Sequence, residues 1–181
     1  MSQSAYHSFM LDHATSSLPP ALMLAGELHV HLSRQGAEVA TVWDAVGGAL
    51  LENSAPVKGD EETRRGRARK TPYLPVADIL ARDFDQLRWR RGLSGVRHAR
   101  AGVRGGAFMR LEPGQFVPAH GHSVTEATVV LRGELQVAEG NFTVGDLVIG
   151  VPGQSHRPGA GGPTACICFV ARAPKRFWRL S

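Results

Sequence analysis

The sequence predicts a two-domain α + β protein, in which a small helical domain precedes an all-β sandwich or barrel. Apolar residues recur at helical spacing in residues 1–51, whereas residues 72–174 contain short runs rich in β-branched and aromatic side chains. Between these regions lie residues 52–71, and ten of these twenty positions are charged. Such a segment buries too little apolar surface to fold, so we interpret it as a linker, and residues 175–181 as a tail.

Two amphipathic helices and a weaker, shorter one are predicted in the first domain. Pro19 and Pro20 suit the first turn of a helix that ends near Arg34, and Gly36 suits the break before the next. The shorter helix is predicted at residues 7–14. So few residues form a small core, so we expect a partner, a metal or the second domain to supply further burial. The apolar stripes of the two longer helices are Leu22, Ala25, Leu28 and Leu32, then Val39, Trp43, Val46 and Leu50.

Six strands are predicted in the second domain. Gly, Pro or Asn separates the runs at intervals of about ten residues, which is typical of an antiparallel sandwich or small barrel. Gly133 and the Gly140–Asn141 pair supply the backbone freedom that two hairpin turns need. The six runs are AFMRLEP, EATVVLRG, ELQVAEG, NFTV, DLVIGVPG and TACICFVA.

Composition and charge narrow the cellular setting. No apolar run is long enough to span a membrane and the first residues lack a signal-peptide pattern, so we expect a cytoplasmic protein without a membrane partner. The net charge of +5 is concentrated partly in residues 64–70. That run has no aromatic residue and no DNA-binding signature accompanies it, so we expect a solvated linker rather than direct nucleic-acid binding.

A group of histidine and glutamate residues has the spacing of a metal site. His120 and His122 are two residues apart, so on a strand both imidazoles lie on one face. Glu126 can approach the same space after a turn, and His156, after the run DLVIGV, is the candidate for a fourth ligand. Three histidines and a carboxylate suit Zn(II), Fe(II), Mn(II) or Ni(II). The alternative is that these are surface residues of loops.

Residues 114–133 read G-x5-H-x-H-x3-E-x6-G, which matches the first cupin motif at every fixed position. Gly145, Gly153 and His156 have the spacing of the second motif, although its proline falls at Val151 and its final asparagine at Ala160. The second domain therefore resembles a cupin. This resemblance implies a double-stranded β-helix, or jelly-roll, barrel.

A longer stretch, roughly residues 73–171, resembles the C-terminal domain of ChrR-type anti-sigma factors. The resemblance implies zinc bound by His120, His122, Glu126 and His156, and a transcription regulator that sequesters an extracytoplasmic-function sigma factor. The cupin would sense an oxidative or small-molecule signal, as in an oxidative stress response. A homodimer through the cupin is also compatible with this resemblance.

The two cysteines, Cys166 and Cys168, occupy the positions of the family's cysteine pair. On a strand both thiols lie on the same face, but the spacing is too short for ordinary disulfide geometry. We interpret them as small core residues, and a redox-sensing role is the alternative.

The helical half resembles the family's anti-sigma domain with its zinc ligands partly replaced. That domain typically carries an early histidine and then H-x3-C-x2-C. Here His29 keeps the histidine, and Ser33 and Gly36 occupy the cysteine positions, while His7 can correspond to the early histidine. Two imidazoles without thiolates make a poor zinc site, so we predict that this zinc is absent or weak. We interpret His7, His13 and His31 as surface or capping residues.

Two alternative functions remain open from the sequence. One is a metal-dependent cupin enzyme, a dioxygenase or isomerase, with Tyr73, Arg110 and Gln136 as pocket residues. The other is a structural metal-binding module. The stripe from Val39 to Leu50 likewise has two interpretations: it is a surface that binds a partner, or it belongs to the hydrophobic core of this chain.

Overall fold

Helices and then strands follow one another in the predicted order. The computed structural model describes residues 3–53, 75–92 and 94–174, so most of the predicted linker and the predicted tail lie outside the described residues. The described helices are α1 (Gln3–Ala14), α2 (Pro20–Leu32), α3 (Arg34–Glu52) and the short α4 (Val76–Leu80), which precedes a 3-10 turn at Phe84–Gln86. None of these helices is both long and apolar enough to cross a membrane.

Ser33, rather than Gly36, separates α2 from α3. Its extended backbone, with φ −118° and ψ 131°, ends α2, and its side chain accepts a hydrogen bond from the backbone N–H of Gly36. Serine is among the preferred residues at this capping position because its oxygen satisfies an N–H of the first turn. The prediction of a break at Gly36 was therefore wrong, since Gly36 lies in the first turn of α3.

The β domain is antiparallel and contains eleven strands among the described residues. Six of them form the larger sheet in the order β1-β2-β3-β11-β5-β8, and the others form sheets β10-β6-β7 and β4-β9. Their bounds are β1 Arg90–Arg91, β2 Arg97–Arg100, β3 Gly106–Leu111, β4 His120–Gly121, β5 Glu126–Arg132, β6 Glu134–Val137, β7 Gly140–Phe142, β8 Leu147–Gly150, β9 Ser155–His156, β10 Gly159–Gly161 and β11 Cys166–Arg172.

The six-stranded sheet has two buried faces with different neighbours. In β11, Ile167 and Phe169 belong to the apolar cluster that includes the helices, whereas Cys166, Cys168 and Val170 belong to the cluster inside the barrel. This division follows from the alternation of side chains along a strand. The barrel wall therefore provides an inner face for the cavity and an outer face for the helices.

Helix α2 lies against the outer face of this sheet and contacts β5, β8 and β11. Leu22, Leu24 and Leu28 are fully buried in the shared cluster, and each such side chain contributes about 1.5–3 kcal/mol on burial. Of the three sources of additional burial that the sequence left open, the second domain is the one observed. The two domains thus share one hydrophobic core.

Candidate metal centre

Strand pairing brings the four predicted ligands together at one end of the barrel. The short strands β4 and β9 pair so that His120 lies opposite His156, while His122 follows β4 and Glu126 begins β5. One ligand atom from each of the four residues lies within 4.8 Å of all the others. This cluster could hold a metal ion.

The separations within the cluster are close to those of a tetrahedral site. Nε2 of His156 lies 3.0 Å from Nε2 of His122 and 3.2 Å from Nε2 of His120. Nitrogen ligands at about 2.0–2.1 Å from zinc in a tetrahedron are about 3.3 Å apart. The donor set therefore fits a small divalent cation without large movement.

A hydrogen bond fixes the orientation of the His120 ring. Its Nδ1 lies 2.9 Å from the carbonyl oxygen of Pro118, and because a carbonyl only accepts, Nδ1 carries the proton. The lone pair of Nε2 then points to the cluster. Such a partner on the second ring nitrogen is typical of metal-binding histidines.

Burial keeps two of the imidazoles neutral. It lowers the pKa of His122 and of His156, and the neighbouring histidines lower both further, while the Glu126 carboxylate opposes the shift. Neutral imidazole is the form that binds metals. The electrostatics of the site thus favour the same protonation state as metal ligation.

Glu126 has a second partner, Arg172, that sequence reasoning missed. The carboxylate is 5% exposed and accepts a hydrogen bond from Nε of Arg172, which lies opposite it in the β5–β11 register. The sequence contained a signal, since Arg172 continues the inward alternation of Cys166, Cys168 and Val170 along β11. This cationic side chain lies at the rim of the group of candidate metal ligands.

A cavity of about 520 Å³ adjoins the cluster inside the barrel. Of the three pocket residues predicted for an enzyme, Arg110 instead pairs with Asp85 and Glu112, and Gln136 is exposed. Neither lines the cavity, because both belong to the faces of their strands that point away from it, and Tyr73 lies outside the described residues. The lining includes His98, Met109, Val117, Thr128, Leu135, Val148, Val170 and Arg172.

Cys166 and Cys168 lie in the barrel core. Their sulfur atoms are 3.5 Å apart, both residues are fully buried, and neither forms a disulfide. The contact with Cys166 and burial raise the pKa of the Cys168 thiol, which keeps it protonated and weakly nucleophilic. These features favour the interpretation as core residues.

In the helical half, His29 makes two hydrogen bonds. Its Nδ1 lies 2.7 Å from the carbonyl oxygen of Gly145, and its Nε2 lies 2.8 Å from the hydroxyl of Tyr6. Since the carbonyl only accepts, Nδ1 donates to Gly145 and Nε2 accepts from Tyr6. Burial lowers the pKa of His29 and so maintains this neutral form. We call this arrangement the His29 contact.

The positions of the family's two cysteines lie beside His29. Ser33 caps α3, and a Cβ atom added to Gly36 would lie 2.6 Å from the carbonyl oxygen of His29 and 2.8 Å from its ring. The ring therefore packs directly on Gly36. Tyr6, which the sequence did not single out, contributes the polar partner.

The remaining histidines of this half occupy different environments. His7 and His31 are exposed, in agreement with their interpretation as surface residues. His13 differs, because its Nε2 atom is buried without a hydrogen-bond partner and its ring packs on Gly26. The prediction of a surface or capping role for His13 was wrong, since the close α1–α2 packing covers the ring.

Comparisons with known proteins match this architecture. Residues 78–176 match a family model described as the ChrR Cupin-like domain. The anti-sigma-E factor ChrR of Cereibacter sphaeroides is 34% identical over 190 residues, which cover 94% of this chain and 89% of that protein. A crystal structure of Rhodobacter sphaeroides SigE in complex with the anti-sigma ChrR matches with a TM-score of 0.75 and 30% identity, covering 92% of this chain and 96% of the matched one. The predicted fold class is confirmed.

Proposed function

Because the chain belongs to the family of ChrR-type anti-sigma factors, we propose that it sequesters an extracytoplasmic-function sigma factor in the cytoplasm and that its cupin controls release. The observation that carries this proposal is the match, over nearly the whole chain, to an anti-sigma factor crystallised with its sigma factor. The helical half is the sigma-binding part, and the cupin is the sensing part. The domains are residues 1–51 and 72–174, joined by the charged segment 52–71.

An exposed apolar face on α3 supports this assignment. Val39 and Trp43 are partly buried against the shared core, whereas Val46 and Leu50, one and two turns further, are 42% and 65% exposed. The stripe therefore changes along its length from core to surface. We call Val42, Val46, Leu50 and Leu51 the α3 ridge and assign it to the sigma interface.

The proposed metal ligands are His120, His122, Glu126 and His156, and zinc is the proposed metal. The four converging ligand residues and the short nitrogen separations support a transition-metal ion, and zinc is the metal that the family resemblance implies. When bound, the ion would order the end of the barrel. The chain's own residues hold the ligands neutral and orient the His120 ring.

Strand β8 offers a route by which a change at the cluster reaches the helices. A Cβ atom at Gly150, the last residue of β8, would lie 2.6 Å from Nε2 of His122. Gly145, shortly before β8, accepts the hydrogen bond from His29 and packs against Leu32. A displacement of His122 therefore presses on one end of β8, and the other end holds α2. Signalling of this kind requires that β8 and α2 have two alternative packing arrangements, whose populations the state of the cluster changes.

The sigma interface is tested by co-purification of the full chain with the sigma factor encoded beside it, where one is. We expect a complex at micromolar concentration, and we expect Val46→Asp with Leu50→Asp to abolish it, because two buried charges without partners would oppose docking. Val144→Asp is the matched control, since Val144 is 47% exposed on the cupin. Loss of the complex in the control alone, or no complex with the unchanged chain, would contradict the proposal.

A further inference from the structure

The cavity beside the metal cluster is polar at one end and apolar at the other. His98, His120, Glu126, His156 and Arg172 line one end. The rest of the wall is aliphatic, except that Thr128 contributes a hydroxyl group. At about 520 Å³ the cavity lies within the range of small-molecule sites, which typically combine apolar walls with a few convergent polar groups. The aliphatic wall consists of Met109, Val117, Leu135, Val148 and Val170.

The polar end carries excess positive charge. With a divalent ion held by the cluster, the Glu126 carboxylate and the Arg172 guanidinium would together leave two positive charges uncompensated at this end of the cavity. Glu126 is the acidic residue of that lining, and it already accepts from Arg172. Positive charge next to an apolar wall favours an anion that also carries an apolar part.

A groove next to the cavity is also cationic. A neighbouring groove of about 430 Å³ shares His98, Gly106 and Ala107 with the cavity and adds Arg88, Arg90 and Arg100 to its lining. Burial and the charge of Arg172 lower the pKa of His98, so that imidazole is neutral beside the guanidinium. Clustered charge of one sign at a cleft raises the local concentration of the opposite ion.

Arg172 is suited to bind a carboxylate. Its side chain is 60% exposed and uses Nε toward Glu126, and the terminal nitrogens of a guanidinium form a planar fork that matches a carboxylate. We propose that this cavity binds a small organic monoanion, a carboxylate on an aliphatic chain, with the head group on Arg172 and the chain along the aliphatic wall. Occupation of the cavity is then a signal that the cupin passes to the helices, so the inference deepens the proposed function and rests on it.

The test is a calorimetric titration of the metal-loaded full chain with octanoate, octanol, octylamine and acetate. We expect saturable binding of octanoate, none of octylamine, and weaker binding of octanol. Each methylene of the chain contributes up to about fourfold in affinity, so acetate should bind much more weakly than octanoate. Equal affinity for octanol and octanoate would refute the anionic half of the proposal, and equal affinity for acetate and octanoate would refute the aliphatic half.

Variants locate the two ends of the ligand. Arg172→Gln should weaken octanoate binding by about tenfold or more, because a charge-assisted hydrogen bond is lost, whereas Arg172→Lys should weaken it less. Arg104→Gln is the matched control, since Arg104 is exposed and lines neither cavity. Val148→Leu should shorten the longest chain that binds. The metal content of each variant is measured in parallel, and Arg172→Gln with full metal and unchanged octanoate affinity overturns the proposal.

The outcome is separable from the sigma-binding proposal. Sigma co-purification is measured on the same proteins, with and without octanoate. Sigma binding without octanoate binding refutes the ligand site and leaves the anti-sigma function intact. Octanoate binding without sigma binding refutes the function and leaves the ligand site intact.

Discussion

The cupin cluster withdraws its imidazoles partly from solvent and the His29 contact withdraws its imidazole fully, yet their ring nitrogens are satisfied differently. At the cluster, the Nε2 atoms of His120, His122 and His156 converge on one another, and neutral imidazoles arranged in this way lack a proton for every contact. At His29, a carbonyl accepts from one nitrogen and a hydroxyl donates to the other. The first arrangement could hold a cation, whereas the second is complete without one. The partners of the nitrogens, rather than the presence of histidine, distinguish a metal site from a structural contact.

The largest expected effect is the loss of the metal. We expect about one transition-metal ion per chain by elemental analysis, and near zero after His120→Ala with His122→Ala, because two of four ligands are removed. At free metal a thousandfold above its Kd, the bound ion stabilises the fold by about 4 kcal/mol, which the variant should lose in urea unfolding. His31→Ala, at an exposed histidine, is the control. Unchanged stoichiometry in the double variant would place the metal elsewhere.

His29→Ala should be the next largest change, and it should leave the metal content unaltered. Removing the ring leaves the Tyr6 hydroxyl and the Gly145 carbonyl buried without this partner and opens a cavity between α2 and the barrel. We expect a loss of about 2–4 kcal/mol in the free energy of unfolding. His31→Ala, two residues further along α2, should change it by less than about 0.5 kcal/mol. A fall in bound metal in His29→Ala at saturating metal concentration would contradict the distinction between the two regions, whereas coupling through β8 would change only the metal affinity.

Two glycines of α3 provide a smaller test with opposite signs. Gly36→Ala should destabilise the protein by about 1–3 kcal/mol, because the added methyl collides with His29. Gly48→Ala should stabilise it by about 0.5–1 kcal/mol, since an added Cβ there meets no atom within 4 Å and alanine is the better helix former. Both are measured by thermal or urea unfolding. If Gly36→Ala were as stabilising as Gly48→Ala, the backbone and ring of His29 would not pack on α3 as described.

The smallest expected effect is a pH dependence from His29. Burial lowers its pKa in the folded protein, so the unfolded chain binds the proton more readily. The contribution of His29 to the free energy of unfolding is therefore fully present above the unfolded pKa of about 6.5 and is lost as the pH falls below that value. Between pH 7.5 and pH 6.0 the loss is under about 1 kcal/mol, and it is obtained as the difference between the unchanged protein and His29→Gln, both metal-saturated. An identical pH slope in the two proteins would show that folding does not lower the pKa of His29.

Much of the cupin could be predicted from the sequence because its signals are local and periodic. The residues His120, His122, Glu126 and His156 have motif spacing, and the six predicted strands lie in runs of β-branched and aromatic residues between turn residues. The strands β1, β2, β4, β9 and β10 were not predicted, because they are two to four residues long and are rich in Arg, His, Gly and Ser, so they lack an apolar run. Their pairing depends on tertiary context rather than on propensity.

The contacts between the halves could not be predicted, because they depend on residues that are distant in the chain. Nothing in the sequence relates His29 to Gly145, or Tyr6 to His29. The periodicity of apolar residues could not show which part of the α3 stripe is buried and which is exposed, because Val39 and Val46 lie on the same helix face. The burial of α3 depends on its packing against α1 and α2, which the periodicity of α3 does not report.

The two-faced sheet makes the halves poor candidates for separate expression. A barrel without α1, α2 and α3 would expose the apolar face of β5, β8 and β11 that α2 contacts, and the helices alone would expose Leu22 and Leu28. Bare apolar surfaces of this size promote aggregation. Cutting the chain at the charged segment would therefore give two aggregation-prone fragments with complementary apolar faces. When both fragments are expressed together, we expect them to associate and restore the fold.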